Sequence, residues 1–499
     1  MISYNKKSGV EEFIHKLKSI ARNSMNHAKY ERALAAISSA AVVLYDFNQT
    51  YTDNELEDYL QSIADKLRSQ YEPELTKILP KHNVVLFYDG FGLDHRGLAI
   101  NYLHGLNNSG YKIVYAVDEH ARDHQPSIKN KMIGADIVFE YISTEDSYLQ
   151  WVNQLINAFI RYEPKALMFY TTPWDVAAHV AFTLYGDIGS RFLIDLTDHA
   201  FWLGTSCNDF FIGSREMSAS NELYKRYLSK NKLIKLDFDL IVDEEWSGEE
   251  LPFDIEHDRY IFSGGAIYKT LGDKNSTYYK IIDYILNNHK DVKFLYAGEG
   301  DRTQLIALQK AHPGRVFLIH ERKDFYYLIK HCVLYLNTYP MFGGMMMRFS
   351  ALAGKLPITL KHNSDSDGLL INQREAKIDY DTFNDLTSDV DRLLTDEDYL
   401  RQREKLLVGK ILTEELFAKN LHSAIENHVT DYCHEFIELD TSDFQSEFYN
   451  RFNLTKSKRK LISHINRSLF LSLPWILLYA PSKLVAKLLN QMKSGGVSQ

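Results

Sequence analysis

Short runs rich in β-branched and aromatic residues alternate with helical stretches along most of the chain, in two separate blocks. The runs that we interpret as strands are 83–88, 112–117, 136–141, 166–170, 191–195 and 209–213 in the first block, and 259–265, 292–298, 315–319, 333–337 and 356–360 in the second. Strands that alternate with helices form parallel sheets covered by helices. We therefore predict two α/β domains, each built on a parallel sheet.

The remaining segments complete a five-part organisation. Residues 1–80 carry apolar residues at helical spacing and are predicted to form a helical cap. The two Rossmann-like domains are assigned to 81–242 and 259–430, with the acidic stretch 243–258 as the linker, and 431–499 are predicted to form a helical, basic, amphipathic tail. Because ligands bind at the carboxyl ends of the strands in such sheets, we expect the two domains to face each other across a ligand-binding cleft.

Charge is distributed unevenly along the chain. The formal net charge is −9, yet residues 451–499 contain nine basic residues and no acidic one, so removing their +9 leaves −18 on residues 1–450. A body this acidic repels phosphate backbones, which argues against a nucleic-acid-binding function. The tail combines positive charge with apolar residues that include Trp475 and Tyr479, a composition suited to an anionic membrane surface. The alternative is a C-terminal helix packed on the body.

Cysteine usage and hydropathy indicate the compartment. The three cysteines lie far apart and form no CxxC pair, which argues against structural zinc and against a disulfide framework. The N-terminus lacks the apolar core of a secretory signal, and no run reaches 18 apolar residues. We predict a cytoplasmic protein that is attached peripherally to the inner membrane face.

Glycine pairs occur at two places where a strand ends. Gly343 and Gly344 open a predicted helix after the strand at 333–337, and the free N–H groups at a helix start attract phosphate. Gly264 and Gly265 end the first strand of the second block, with Lys269 close behind. We predict that the glycines admit a diphosphate and that Lys269 supplies a positive charge to it.

The segment 320–360 resembles the donor-binding region of GT-B glycosyltransferases. It is most similar to the O-GlcNAc transferase-like branch, and more remotely to the glycosyltransferase group 1 family. FSGGAIYKT (262–270) resembles a Y-K loop of that branch, and YDGFGLDHRG (88–97) resembles its first-strand loop. The resemblance covers about residues 80–430 and implies an α/β GT-B fold and a nucleotide-sugar donor. We expect the donor to be UDP-linked, and we expect no cofactor or metal. By resemblance, Lys269 contacts the donor diphosphate and His95 lies in the catalytic site.

The sequence departs from that pattern where retaining relatives carry two glutamates. The matching positions are Phe342 and Ser350, and three methionines, 345–347, replace the usual small hydroxyl residues. We expect Met345 and Ser350 to line the donor site. The missing acids favour one alternative, a catalytically silent GT-B module that acts as a binding or regulatory partner. A GT-B nucleotide-sugar epimerase is the second alternative.

Two histidines in the first block are candidates for the general base. A histidine oriented by a carboxylate titrates near neutral pH and can deprotonate an acceptor hydroxyl. His199 has Asp198 and Asp195 beside it, and His95 has Asp94 and Asp89. We assign the catalytic role to His199 or His95, with Asp198 as the orienting acid in the first case.

Polar residues at other strand ends are candidates for contacts with the two substrates. For the acceptor we predict Asp94, Trp174 and Asp175, although Asp175 is equally suited to cap a helix. For the donor we predict Glu299 and either Arg322 or Lys323.

Two DxD triplets, 237–239 and 365–367, could in principle hold a divalent metal. The first falls where the chain crosses between the domains, so we assign no metal site. The sequence predicts a metal-independent glycosyltransferase of polysaccharide biosynthesis, acting on a glycan or lipid-linked glycan acceptor.

Overall fold

The computed structural model describes residues 7–47, 50–94, 98–144, 147–242, 245–271, 273–361, 368–439 and 465–473. The strands of its first sheet are β1 (Lys81–Asp89), β2 (Lys112–Asp118), β3 (Ile137–Ile142), β4 (Pro164–Tyr170), β5 (Ser190–Ile194), β6 (Phe210–Gly213) and β7 (Leu233–Lys235). They pair in parallel in the order β3-β2-β1-β4-β5-β6-β7. The order reverses between β1 and β4, which is where α/β sheets of this kind bind ligands.

The second sheet has six parallel strands. They are β8 (Tyr260–Gly264), β9 (Lys293–Ala297), β10 (Val316–Ile319), β11 (Leu334–Leu336), β12 (Pro357–Leu360) and β13 (Asp379–Tyr380). Their order is β10-β9-β8-β11-β12-β13, so the reversal falls between β8 and β11. The two-sheet α/β architecture and the parallel pairing predicted from the alternating pattern are confirmed.

Helices cover both sheets and form the N-terminal segment. Their bounds are α1 (Lys7–Asn26), α2 (Tyr30–Phe47), α3 (Asn54–Leu75), α4 (Ala99–Asn108), α5 (Pro126–Lys131), α6 (Tyr148–Tyr162), α7 (Val176–Tyr185), α8 (Glu216–Tyr224), α9 (Thr277–Asn288), α10 (Thr303–Ala311), α11 (Phe325–His331), α12 (Gly344–Leu352), α13 (Gln373–Ala376), α14 (Phe383–Thr395), α15 (Glu397–Lys405) and α16 (Glu414–Asn427).

The N-terminal helices share one hydrophobic core with the first sheet. Buried residues of α1, α2 and α3 belong to the same cluster as those of β1, α6 and α7. The carboxylate of Glu57, on α3, anchors this packing because it accepts hydrogen bonds from the backbone N–H groups of Gly204 and Ser206, at 2.8 and 3.0 Å. The segment that we predict as a cap is therefore part of the first domain's core.

The last helix of the second predicted domain packs on the first domain. Phe417 of α16 lies edge to face against Tyr102 of α4, with ring centroids 5.4 Å apart. A methyl group added to Gly105 would lie 2.5 Å from the Phe417 ring, so the close approach of the two helices depends on that glycine. This arrangement modifies the predicted interval 259–430, because α16 completes the apolar core of the other domain.

Two pieces of the predicted tail are described, and both lie against the first domain. Residues 432–439 run without helical structure, and the N–H of Ile437 donates to Ser220 Oγ of α8. Residues 465–473 contain the short 3-10 helix Arg467–Ser472, and the buried side chains of Ile465, Leu469 and Leu473 join the first core. This second piece follows the packed alternative for the tail, whereas Trp475 and Tyr479 lie outside the described residues.

Candidate functional site

The glycine segments and Lys269 meet at the carboxyl ends of β8 and β11. The N–H of Met341 donates to the carbonyl oxygen of Lys269 at 3.1 Å, which joins the loop after β8 to the loop after β11. The hydroxyl of Tyr335 donates to the carbonyl oxygen of Gly264 at 3.4 Å. A methyl group on Gly264 would lie 3.4 Å from Met346 Cε at the start of α12. The predicted diphosphate residues are thus neighbours in the structure.

Lys269 is a partly buried cation at this junction. It lies in the 3-10 helix Ile267–Thr270, and burial lowers the pKa of its ammonium group below the usual value. Among the residues that the structure describes, none forms a salt bridge or a side-chain hydrogen bond with Lys269. A desolvated ammonium group without a counter-ion favours an anionic ligand, which restores its lost solvation.

The start of α12 offers backbone donors beside this lysine. The N–H of Gly343 already donates to Asn337 Oδ1 at 2.8 Å, and that of Met347 donates to the Gly343 carbonyl at 3.1 Å. The N–H groups of residues 344–346 lie between these two, where an α-helix provides no acceptor, and no side chain caps the helix. The N–H of Gly343 is therefore used within the turn and is not available to a phosphate. The backbone N–H groups of Gly344 and Met345 have no acceptor among the described residues.

The two positions that replace the family's glutamates are occupied by other interactions. The ring of Phe342 packs under the guanidinium of Arg215 from the first domain, with 4.9 Å between the carbon Cζ and the ring centroid. The hydroxyl of Ser350 donates to the Lys355 carbonyl at 2.7 Å within the turn that ends α12. Ser350 is buried there, and its hydroxyl serves the helix end. The prediction that Ser350 lines the donor site is not supported by this geometry.

On the first domain, Asp198 and His199 lie in the loop after β5. Asp198 is buried and forms a two-pronged ion pair with Arg215, and its Oδ1 lies 3.5 Å from His199 Nδ1. Burial would raise the pKa of the Asp198 carboxyl, but Arg215 and His199 lower it below its usual value. His199 remains half exposed, at 47% of its side chain. The loop therefore presents an imidazole beside a fixed carboxylate, as predicted for a general base.

Arg215 is a residue of this site that the sequence pattern did not identify. It follows β6 by two positions and connects Asp198 to Phe342 of the other domain. A lone arginine at the start of a helix carries no distinguishing signal, because solvated arginines are common there. Its role becomes visible only when the loops of both domains are placed together.

The remaining acceptor-side candidates have mixed placements. Trp174 is partly exposed and packs edge to face on Tyr45 of α2, with ring centroids 5.3 Å apart. Asp175 caps α7 by accepting from the Ala178 N–H at 3.0 Å, while its other oxygen accepts from Tyr88 and Thr171. Both carboxylate oxygens of Asp175 are therefore engaged, which supports the capping alternative.

Two further candidates lie in the loop that follows β1. Asp94 accepts a hydrogen bond from the N–H of Ile128 at 3.0 Å, near the start of α5. His95 falls outside the described residues, so its predicted catalytic role stays a prediction. Asp89, at the end of β1, is fully buried and accepts from the N–H groups of Phe91 and Gly92, and burial raises its pKa to about 6. The Asp89 carboxylate therefore accepts hydrogen bonds from the backbone of the turn after β1.

On the donor side, Glu299 is exposed and lies 2.6 Å from His320 Nδ1. Its carbonyl accepts from the N–H of Ile267, which ties it to the lysine loop. Arg322 is buried and paired with Asp324 at 2.7 Å, and it contacts the linker at Ser247. The guanidinium of Arg322 is therefore committed to a structural ion pair, and of the pair Arg322 or Lys323 only Lys323 remains available for a donor.

Neither an ion site nor a membrane span is found in the part of the chain that the structure describes. Within it, no three histidine, cysteine or acidic side chains are grouped as metal ligands. Asp237, from the first DxD triplet, instead pairs with Arg348 of α12 across the domain boundary. The second triplet, 365–367, lies outside the described residues. Also within the described ranges, every helix is too short or too polar to cross a bilayer.

Comparisons with known proteins find likeness at the level of structure. No family model matches the sequence, and no curated protein sequence does. A glycosyltransferase from Rickettsia africae is 10% identical, with 69% of this chain and 99% of that chain covered and a TM-score of 0.50. A variant of the O-GlcNAc transferase of Thermobaculum terrenum is 13% identical, with coverages of 90% and 82% and a TM-score of 0.49.

A UDP-GlcNAc 2-epimerase from Neisseria meningitidis, solved with UDP-GlcNAc, is 12% identical, with coverages of 68% and 98% and a TM-score of 0.44. At sequence identities this low, the structural similarity shows a shared fold and not a shared activity. The Rickettsia africae structure matches nearly over its full length, and the two parallel sheets found here face each other through their loops. The resemblance stated from the sequence is confirmed at that level: the chain has the α/β GT-B fold of glycosyltransferases.

Proposed function

We propose that the protein is a glycosyltransferase that moves a hexosyl or N-acetylhexosaminyl group from a UDP-sugar to a glycan or lipid-linked glycan. The observation that carries the proposal is the junction of Lys269 with the start of α12. A desolvated cation, which has no counter-ion among the described residues, and free helix amides belong to two hydrogen-bonded loops at the point where the second sheet reverses. Together they suit a diphosphate leaving group.

The leaving group is stabilised by this junction in the proposed mechanism. When the glycosidic bond to the diphosphate breaks, negative charge grows on the phosphate oxygen. Lys269 and the amides of residues 344–346 are fixed donors for that charge, and fixed donors in a partly desolvated site are effective because they need no reorganisation. The GT-B resemblance supports UDP as the nucleotide.

The acceptor is activated from the first domain in this proposal. His199 takes the proton of the acceptor hydroxyl, and Asp198, held by Arg215, orients the imidazole and stabilises its charged form. Phe342 and Ser350 offer no carboxylate, so the base is assigned to the first domain. The exposed part of the Trp174 ring is proposed to hold a sugar ring of the acceptor.

We further propose that the enzyme works at the cytoplasmic face of the membrane. The support is the charge of residues 451–499, +9 without an acidic residue, in a chain whose remainder carries −18. A lipid-linked glycan is then the natural acceptor.

A panel of radiolabelled nucleotide sugars tests the proposal. Purified protein is incubated with UDP-glucose, UDP-galactose and UDP-GlcNAc, with and without a membrane extract, next to the Lys269→Ala and Lys310→Ala variants. Label transferred to a glycan or lipid fraction, and lost with Lys269→Ala only, is the expected result. Epimerised nucleotide sugar without an acceptor indicates the epimerase alternative. If no nucleotide sugar binds at all, the protein is a silent module and the proposal fails.

A further inference from the structure

The loop that follows α8 carries a cluster of cations in an otherwise acidic body. Between Glu222 and Asp237 the chain contains five basic residues and no acidic one. Three of the five contact the protein itself, since Lys235 pairs with Glu216, Arg226 is buried and the Lys225 ammonium lies 4.7 Å from the Tyr51 ring centroid. Lys230 is exposed and Lys232 is partly exposed, and neither forms an ion pair within the described residues. We call residues 223–232 the tyrosine–lysine loop.

Two tyrosines are exposed on the same loop. Tyr227 is 81% exposed and Tyr224 is 40% exposed. Tyr227 also has a left-handed backbone with a φ of 60°, a conformation that disfavours a bulky L-residue. An aromatic side chain presented to solvent on such a backbone makes few contacts within the protein, which leaves its ring accessible to an external partner.

The base of the tyrosine–lysine loop is rigid. The guanidinium of Arg226 lies 4.2 Å from the ring centroid of Trp202 and donates to the Ala200 carbonyl at 2.7 Å. The N–H of Leu228 donates to the Glu222 carbonyl at 3.0 Å. The loop is therefore fixed in shape, and it is attached to the same segment, 198–202, that contains His199.

A later segment of the chain, 432–439, borders this loop. The ammonium group of Lys230 lies 4.6 Å from the ring centroid of Phe436, so the 432–439 segment borders the loop. Glu435 and Glu438 are exposed on that segment, and among the described residues neither pairs with Lys230 or Lys232. The tail that carries +9 begins at residue 451, twelve residues after 439.

We propose that the tyrosine–lysine loop is a second membrane-contact surface, which docks on an anionic bilayer. Tyrosine rings prefer the headgroup region, and lysines near the surface are attracted to anionic lipids. The two exposed or partly exposed lysines without an ion pair among the described residues complement the charge of such a bilayer. Binding at both points would hold the loop of His199 close to the bilayer, where a lipid-linked acceptor lies. The inference extends the proposed membrane location but rests on different residues from the donor site.

Vesicle co-sedimentation of the full chain tests this inference. The probes are vesicles of phosphatidylglycerol and phosphatidylcholine in equal parts, and vesicles of phosphatidylcholine alone. The variants are K230Q/K232Q and Tyr227→Ser. The matched controls are K129Q/K131Q, which changes two lysines in α5, and Ile133→Ser, which changes an 81% exposed apolar residue just after that helix.

We expect K230Q/K232Q to weaken partitioning to the anionic vesicles about 30-fold at low salt, since each lysine near such a surface contributes about fivefold. Tyr227→Ser should weaken it severalfold, the control variants should stay within about twofold of wild type, and the effect of the lysines should vanish in high salt.

An equal loss of vesicle partitioning in K129Q/K131Q would overturn the inference, since lysines elsewhere on the surface would then contribute as much as Lys230 and Lys232. If K230Q/K232Q partitions to anionic vesicles as the wild type does, the inference is also wrong. The tail alone would then account for membrane binding, and the exposed tyrosines would have another partner. UDP titration of the same variants should be unchanged. If neither the wild type nor any of these variants binds UDP, the proposed function is contradicted, but the conclusion from the vesicle experiment is unaffected.

Discussion

The backbone N–H of Met341 donates a hydrogen bond to the carbonyl oxygen of Lys269 at 3.1 Å. This bond joins the loops after β8 and β11, the two strands between which the second sheet reverses its order. It holds the partly buried lysine beside the start of α12, where three amides have no helical acceptor. The proposed donor site is built on this connection.

Removing the Glu57 carboxylate is expected to destabilise the N-terminal helices. Glu57 is buried and accepts hydrogen bonds from Gly204, Ser206 and His179, the last at 2.8 Å. Glu57→Ala leaves these donors unsatisfied and should cost about 3–5 kcal/mol, the usual range for breaking a buried ion pair. Thermal melts followed by circular dichroism measure the loss. Glu74→Ala, which removes an exposed carboxylate from the same helix, is the control and should change the Tm very little.

The buried pair of Glu57 and His179 also predicts how the free energy of unfolding depends on pH. Burial raises the pKa of the Glu57 carboxyl, but His179 and Ser206 lower it to about 2 overall. Burial lowers the pKa of His179, but Cys207 and Glu57 raise it to about 10. The contribution of Glu57 is thus present above its unfolded pKa and lost as pH falls toward 2, whereas that of His179 is present below its unfolded pKa and lost as pH rises through about 10.

Urea unfolding between pH 3 and pH 10 measures this dependence. The wild type should be most stable between these two limits, and Glu57→Gln should flatten the acid side of the curve. An unchanged acid side in Glu57→Gln would contradict the assignment.

The buried ion pair between Arg348 and Asp237 is expected to hold the two domains together. Arg348 lies on α12, Asp237 follows β7, and their side chains are 2% and 7% exposed. Arg348→Met leaves a buried carboxylate unpaired and should cost about 3–5 kcal/mol, while the double variant Arg348→Met/Asp237→Leu should recover most of the loss. Differential scanning calorimetry of the wild type, the single variant and the double variant measures both the loss of stability and its recovery. No recovery in the double variant would show that the arginine acts through other contacts.

Replacing His199 should separate catalysis from donor binding. If His199 is the base, His199→Gln lowers kcat about 10²–10⁴-fold and leaves the Kd for UDP unchanged. Steady-state transfer assays and UDP titration measure the two quantities. A His199→Gln enzyme with wild-type kcat would transfer the role to the other candidate, His95.

Much of the fold could be predicted because the strands are buried on both faces. Strands such as β1 and β2 are continuous apolar runs with clear ends, and every strand longer than three residues was anticipated. The two that were not, β7 and β13, have three and two residues, too few for a periodic pattern. The packing of α16 on the first domain was also missed, since amphipathic spacing shows that a helix has an apolar face but not which core receives it.

The site was predictable where a residue type has a direct chemical meaning at a strand end. The glycine pairs, Lys269 and the Asp198–His199 dipeptide were selected in this way, and their roles stay predictions. Arg215 was not, because its function is to connect loops of two domains that are far apart in sequence. Ser350, Asp175 and Arg322 were overvalued, since their hydroxyl, carboxylate and guanidinium groups are taken by local partners that only the structure reveals.

Calorimetric titration of UDP into the wild type and the Lys269→Ala variant tests the central claim most directly. Loss of a desolvated, charge-assisted contact to the diphosphate should raise the Kd about 10–100-fold. Lys310→Ala, an exposed lysine on α10 in the same domain, should bind UDP as the wild type does. The same Kd for Lys269→Ala and wild type, or no UDP binding by either, would contradict the assignment of this junction as the donor site.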